Sequence, residues 1–284
     1  MPLTALGGDA GTVVIGDTTT AVFPQTLHPN VVAYIAAQAS IGYAMTRTEI
    51  DAVNNLVWNM VGMDLWDKMQ IIYPCIGNNA ASFKWNLKDT TTFNITFAGS
   101  WVYASTGMQV AAANTANRGL TGYTPSVNQT LGDAHISVYV RNFYTAGTNG
   151  SIFGSYVSIL GGGTMIGISS QVAGSTDGWC INIGGSSGRI SMSGYTGGMF
   201  TTSRLTASSY ASNVLNNNAR STVLPATSGT RVTAEIWIGT ANGAIACQPQ
   251  EIAFATIGLG LNQRNIINLY NIVQSFQTAL GRQV

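Results

Sequence analysis

From residue 80 to residue 257 the chain is a succession of short runs in which apolar and polar residues alternate. His135–Val140 is the clearest, with Ile136, Val138 and Val140 on one side and His135, Ser137 and Tyr139 on the other. A period of two suits a strand with one buried face and is of no use to a helix. Arg231–Ile238 repeats the pattern with Val232, Ala234, Ile236 and Ile238 inward. Further strands are predicted at Phe83–Leu87, Phe93–Phe97, Trp101–Tyr103, Met108–Ala113, Ile152–Leu160, Met165–Ser169, Trp179–Ile183, Arg189–Ser193 and Glu251–Ile257. Gly, Asn and Ser clusters separate them, among them Gly147–Gly150, Gly161–Gly163, Gly184-Gly185 and Asn216–Asn218. Many short strands punctuated in this way fold as a sandwich or a barrel.

Helical patterns flank this region. His28-Pro29-Asn30 can open a short helix through Ala39, with Pro29 in its first turn. Thr46 and Glu49 have the spacing of a capping box, in which hydroxyl and carboxylate satisfy each other's orphan N–H groups. Ile50, Val53, Val57, Met60 and Val61 follow at helical spacing, predicting a helix to about Met69, weakened at Gly62 and ended by Tyr73-Pro74. A last helix starts from Asn262, carries Ile266, Tyr270, Val273, Phe276 and Leu280 as a stripe that packs on the β-domain, and stops at Gly281. Residues 1–28 are polar with Gly and Thr clusters, and read as an extended arm or docking segment, or else as a loose terminus. The division expected is therefore an arm over 1–28, a helical stem over 29–75, and a β-sandwich over 76–284 closed by the helix 262–280.

Charge narrows the function. Only 8% of residues are charged, against about a quarter in ordinary soluble proteins, and the net charge is +1. No basic excess exists to neutralise phosphates, so no nucleic-acid partner is expected. No apolar run reaches the ~18 residues of a membrane span, and the first residues lack the basic start and long apolar core of a signal peptide. Six Trp, eleven Tyr and nine Phe can fill a core, so the chain is not disordered. A nearly uncharged surface leaves little repulsion between molecules, which points to an oligomer or a component of an assembly. Cys75, Cys180 and Cys247 are far apart with no CxxC. They read as buried free thiols of a reducing compartment, or as one disulfide with an orphan.

Residues for catalysis are few. The two histidines, His28 and His135, lie in a helix entry and at a strand start, where capping and structural roles suffice. No HxH, HExxH or CxxC occurs, and Asp64 and Asp67, one helical turn apart, read as a solvated face. Glycoside hydrolysis needs two carboxylates about 5–10 Å apart. The glutamates are Glu49, Glu235 and Glu251, of which Glu49 serves the capping box and only Glu235 with Glu251 could approach in a sandwich. There is no GxSxG, and Gly184–Gly188 reads as a turn because no Lys follows it. Asn94, Asn128 and Asn149 head glycosylation sequons that chance explains in an Asn- and Thr-rich chain. Trp101, Tyr103, Tyr123, Tyr144, Trp179 and Tyr195 lie near turns, where an exposed ring can carry a glycan, though each suits the core better. No catalytic residue, cofactor or metal is expected.

Several segments together resemble a known group. They are Tyr73-Pro74 with Gly77, the block Phe83–Asp89 (FKWNLKD), Phe97, Gly99, Trp101, Ser105-Thr106-Gly107, His135-Ile136-Ser137, Ile252–Leu261, Asn268-Leu269-Tyr270 and Val273–Arg282. Over about residues 45–284 the chain resembles structural proteins of tailed bacteriophages. The Asn-Leu-Lys-Asp block and the last helix are the most specific parts. Cys75 stands where an aromatic is expected, and Asn265 where the first helical turn is more acidic. The resemblance implies a mainly β chain: an antiparallel β-sandwich of the concanavalin A/LamG-like jelly-roll type, with an N-terminal helical segment and a C-terminal helix. It implies a non-enzymatic virion protein, in a fibre or other host-facing appendage, or decorating the capsid surface, or acting as a lectin-like module. Its partners would be other virion proteins, further copies of itself with a trimer favoured, and a host-surface glycan or receptor. The arm 1–28 would dock to the virion. LamG-like domains often hold calcium on a sandwich rim, and Asp133 and Asp177, read as loop residues, are the candidates here.

Overall fold

Strand pairing sorts the β-segments into two large sheets. The computed structural model describes residues 13–15, 19–21, 26–112, 116–142, 150–156, 164–172, 175–184, 197–206, 209–215, 220–225, 230–242 and 249–284. In chain order, β1 (Val13–Ile15) and β2 (Thr19–Ala21) pair with each other and are followed by helices α1 (Pro29–Ser40) and α2 (Arg47–Gly62). Then come β3 (Met69–Tyr73), the single turn α3 (Ala80–Phe83), β4 (Thr96–Ala98), β5 (Trp101–Ala104), β6 (Gly107–Val110), β7 (Arg118–Leu120) and the turn α4 (Pro125–Asn128). The second half holds β8 (Ala134–Asn142), β9 (Gly150–Tyr156), β10 (Thr164–Val172), β11 (Ser175–Gly184), β12 (Gly198–Thr206), β13 (Ser209–Leu215) and β14 (Arg220–Pro225). It closes with β15 (Trp237–Ile238), β16 (Ala241–Asn242), β17 (Glu251–Gly258) and helix α5 (Gln263–Ala279).

One sheet runs β14-β13-β12-β8-β17-β6-β5, with β3 also paired to β17. The other runs β11-β10-β9-β15-β7-β4, with β16 on β9. Among the described residues every pairing is antiparallel except β16 with β9. The fold is thus the expected mainly β, antiparallel sandwich of jelly-roll type, with a helical N-terminal segment and a C-terminal helix. β17 joins distant parts of the chain, because β8, β6 and β3 all pair with it.

The molecule has three layers and two cores. Ile136, Val138, Val140, Phe200, Ile252, Ala255 and Ile257 face the second sheet, where they meet Phe153, Ile168, Ile236 and Ile238. On the other side of the same sheet, Tyr139, Met199, Ala253 and Phe254 pack against the three long helices through Val31, Val53, Val57, Leu269, Val273 and Phe276. The alternation read in His135–Val140 is real, but its less apolar side is also fully buried, because the helices cover it. There the small polar residues pair with one another: Thr201 Oγ1 donates to Ser137 Oγ at 3.0 Å, and Ser203 Oγ to the Leu261 carbonyl at 2.8 Å. Buried polar groups are tolerated when paired in this way.

The predicted helix ends hold at three places. Thr46 and Glu49 form the capping box. His28 caps α1 through Nδ1, which accepts from the Asn30 N–H. Asn262 caps α5, and Gly281 takes a left-handed φ of 65° just beyond the C-cap Leu280.

Other expectations are corrected. α2 stops at Gly62 rather than near Met69. The Leu65 N–H reaches back to the Met60 carbonyl at 2.8 Å, and Asp64 adopts a left-handed φ of 56°, which closes the helix. Met69–Tyr73 is a strand paired with β17: Ile71 and Tyr73 face the sandwich and Ile72 the helices, while Met69, beyond a register shift, also enters the helical core.

Phe83–Leu87 is not a strand. Buried Asn86 takes the place of one, accepting from the Ile72 N–H at 3.0 Å and the Lys88 N–H at 3.1 Å while donating to the Gln70 and Thr92 carbonyls. Of Arg231–Ile238, only Trp237–Ile238 pairs as a strand; the backbone of Val232 and Ile236 bonds instead to Ser126, Tyr123 and Thr121. Val232, Ile236 and Ile238 are nevertheless buried as expected. The strand predicted at Arg189–Ser193 lies outside the described residues.

The C-terminus is built into the helical core. Arg282 is 1% exposed and donates to the carbonyls of Pro74 at 2.7 Å, Cys75 at 2.8 Å and Ala253 at 3.2 Å. Burial lowers its pKa to about 10, which still leaves it charged at neutral pH. Arg282→Met removes these donors but keeps the bulk, and unpaired buried carbonyls cost about 1–3 kcal/mol each. The expected loss is about 2–4 kcal/mol in a urea titration, with the far-ultraviolet circular dichroism of the native state unchanged.

Candidate functional site

A cleft of about 540 Å³ opens where the end of α2, the turn before β3 and the start of α1 meet the end of β17. Its apolar lining is Val61 and Leu259, its aromatic lining Trp66 and His28, and its charged lining Asp64, Asp67 and Lys68. Each wall is held by a specific interaction. The helix stop just described places Asp64 in the opening, and the 3₁₀ turn Trp66–Lys68 turns the chain into β3.

Trp66 is fixed by Lys88, whose Nζ donates to the Trp66 carbonyl at 2.7 Å and sits 4.2 Å from the centre of the indole ring. Cation–π contact and hydrogen bond act together here. Burial lowers the Lys88 pKa, with Asp67 opposing. The Lys88–Asp67 ion pair is long, at 3.9 Å, and Asp67 is fully exposed, so it adds little stability.

His28 stands edge-on between two indoles, its ring 5.2 Å from both Trp58 and Trp66. The segment before α1 is tied to α2: the His28 N–H donates to Asn54 Oδ1 at 2.9 Å, and Trp58 Nε1 donates to the Thr26 carbonyl at 3.0 Å. Because Nδ1 accepts from the Asn30 N–H, the neutral ring carries its proton on Nε2. Desolvation, with Lys88 nearby, lowers the His28 pKa and favours that neutral form.

The floor of the cleft is Leu259. Its N–H donates to the Lys68 carbonyl at 2.8 Å, and its carbonyl meets His135 Nδ1 at 2.6 Å. A carbonyl only accepts, so Nδ1 bears the proton and Nε2 accepts from Thr256 Oγ1 at 3.1 Å. Gly258 makes this closeness feasible: a Cβ there would lie 2.0 Å from the Lys68 carbonyl oxygen.

The structure thus gathers His28, the pair Asp64 and Asp67, and Lys88 of the Asn-Leu-Lys-Asp block, which the sequence singled out in different places, and adds Trp66, which it did not. The Asn-Leu-Lys-Asp block was legible as special, and its role is now apparent: Asn86 braces β3, Leu87 enters the helical core and Lys88 holds Trp66. The remaining candidates are placed elsewhere. His135 is structural, as expected.

All three glutamates hold structure: Glu49 in the capping box, Glu251 on Arg141 at 2.9 Å, and Glu235 accepting from the Gly122 N–H. Glu251 opens β17 of one sheet and Glu235 precedes β15 of the other. Asp133 accepts from the Gly260 N–H at 2.6 Å. Asp177, expected in a loop, stands in strand β11, between Thr176, which pairs with Gln171, and Gly178, which pairs with Ser169. Among the described residues no three His, Cys, Asp or Glu side chains converge as a metal site.

Tyr123 is fully buried, while Trp101 and Tyr103 are half-buried against the sandwich core and stack with ring centres 6.4 Å apart. Tyr144 and Tyr195 lie outside the described residues, as does the side chain of Trp179. Asn94 and Asn128 bond the backbones of Asn86 and Thr124, and Asn149 lies outside the described residues. Cys75 is free and buried, its thiol pushed up to about 12 by desolvation. The Cys180 side chain and Cys247 lie outside the described residues. Among the described residues no helix is long and apolar enough to cross a membrane.

No family model and no curated protein sequence matches the chain. Solved structures show weak likenesses. Domain 4 of AbnA, a GH43 extracellular arabinanase from Geobacillus stearothermophilus solved with arabinotriose, is 13% identical with a TM-score of 0.46, over 72% of this chain and 98% of that one. The Trypanosoma rangeli sialidase in complex with sialic acid is 9% identical with a TM-score of 0.44, over 78% of this chain but 38% of its own. The botulinum neurotoxin serotype D binding domain is 11% identical with a TM-score of 0.44, over 72% of this chain and 52% of its own. At these scores the sandwich rests on its own strand pairing, and no activity of these proteins carries over.

Burial gives His135 a measurable signature. Desolvation, partly offset by the hydrogen bond to Leu259, lowers its pKa from 6.5 to about 4. The unfolded chain takes up this proton below pH 6.5 and the folded chain does not, so stability falls as pH drops from 6.5 towards 4. The full effect is on the order of 3 kcal/mol. Urea titrations at pH 7, 5.5 and 4 should show it, and His135→Gln should lose that part of the slope.

Proposed function

We propose that the chain is a non-enzymatic structural protein of a tailed-bacteriophage virion, placed in a fibre or other host-facing appendage. In this reading copies associate as a trimer through the helical layer, and the sandwich is turned outward towards the host surface. The observation that carries the proposal is the outer face of α1 and α5, beside which α2 exposes one ion pair, Arg47 with Asp51. α1 contains no charged residue, and Val32, Ala33, Ala36 and Ala39 are exposed along it. α5 contains one, Arg264, and exposes Ile267, Asn271, Ser275, Thr278 and Ala279. Interface centres are depleted in charge, since every ion buried there must be desolvated. A face with almost no charge meets a second copy of itself without repulsion or that desolvation cost. The segmental resemblance to phage structural proteins, strongest in the Asn-Leu-Lys-Asp block and the last helix, supports the virion assignment.

Sedimentation of the full chain should show an oligomer, and Ala36→Glu should shift it towards monomer at an unchanged melting temperature. A monomeric wild-type chain at concentrations near 100 μM, where a Kd in the micromolar range (about −8 kcal/mol) would already saturate, would overturn the association. On purified particles, antibody bound at fibres or the tail tip is the expected result. Label spread over the capsid would replace the appendage with surface decoration, and particles without label would remove the virion reading.

A further inference from the structure

We propose that the cleft between the α2 end and β17 is a binding site for a neutral saccharide of one or two sugar units. This goes beyond the assembly reading and concerns a site on the seam between the helical layer and the ends of β3 and β17.

Size and chemistry lead to it. The cleft volume of about 540 Å³ falls in the range of roughly 300–1,000 Å³ that small-molecule sites occupy. A sugar presents hydroxyl groups that both donate and accept, on a ring whose C–H faces are apolar. The cleft offers the complement of each. Asp64 and Asp67 are exposed carboxylates that accept from hydroxyls. Lys68 and the Nε2–H of His28 donate to them. Trp66, Val61 and Leu259 supply apolar surface, and an indole is well suited to lie against a sugar face.

Charge selects within the class. The two carboxylates are accompanied by Lys68 in the lining and Lys88 behind Trp66, so neither an anionic nor a cationic ligand finds a matching excess. A neutral polyhydroxyl ligand meets both kinds of group at once.

The aromatic and apolar walls are held in place, so ordering them costs little on binding, while the exposed carboxylates are free to turn towards a ligand. Lys88 holds Trp66 at its carbonyl and its ring, Asn54 and Asn30 hold His28, and Lys68 and His135 hold Leu259 from both sides.

The test is saturation-transfer NMR and tryptophan fluorescence on the full chain, with glucose, galactose, mannose, N-acetylglucosamine and their common disaccharides as probes. At least one should bind saturably, with a Kd on the order of 1 mM for a single weak contact. Asp64→Asn and Asp67→Asn should each weaken it about tenfold. His28→Asn, which keeps a side chain able to cap α1 but gives up the ring contacts to Trp58 and Trp66, should do the same with a small fall in melting temperature. Thr278→Ala, on the outer face of α5, should leave it intact. Saturable binding that survives all three cleft substitutions would overturn the proposal, as would failure of every probe up to 50 mM, far above the expected Kd of about 1 mM. Tight binding of oligolysine in the same cleft without any sugar would overturn the ligand class.

Discussion

Strand Glu251–Gly258 is covered on both faces, and the arrangement of the other layers follows from that double burial. Ile252, Ala255 and Ile257 enter the core between the sheets, while Ala253 and Phe254 enter the core beneath the helices. A sheet buried on both sides needs two covers. The second sheet provides one and the helices from both ends of the chain provide the other. The irregular register of β17 against β8, shifted on both sides of Ile252, lets adjacent residues Ala253 and Phe254 serve the same core.

This layering also creates the cleft. Helices laid over a sheet leave a seam where a helix ends and the chain drops into the sheet. Here that seam lies between Gly62 and Met69, and a close backbone bond between Lys68 and Leu259 stitches it. His135 reaches the same point from within the sheet. One buried imidazole therefore links the stability of the sandwich to the shape of the cleft floor, so acid that charges His135 would disturb both.

The helices have two different sides. Their inner side carries the large apolar residues and a buried guanidinium that gathers three carbonyls near the C-terminus. The outer sides of α1 and α5 are apolar or uncharged polar and carry one charge, Arg264, whereas α2 exposes the Arg47–Asp51 ion pair at its start. The inner side explains the fold, and the outer side supports an assembly role. Burial of Arg282 matters to the first because it ties the end of the chain to the β3–α3 turn.

Local chemistry was legible in the sequence. Caps at His28, Thr46 and Asn262, the stop at Gly281, the apolar stripe of α5, the period-two run of β8 and the strands at β9, β10 and β17 depend on neighbours a few residues away, and they stand as read. The sandwich class followed from them. Errors arose where distant groups decide. Met69–Tyr73 became a strand because β17 offers it an edge, and Phe83–Leu87 did not because the Asn86 side chain supplies the bonds a strand would have made. The polar side of His135–Val140 was buried by helices that local pattern cannot place. The cleft was half legible: His28, Asp64 and Asp67 stood out by type and Lys88 by its block, but Trp66 looks ordinary until the fold brings residues 28, 66, 88 and 259 together. Sequence fixes which bonds a segment can make with itself; only the tertiary structure decides which partners lie within reach, because hydrogen bonds and packing act over a few ångströms whatever the separation along the chain.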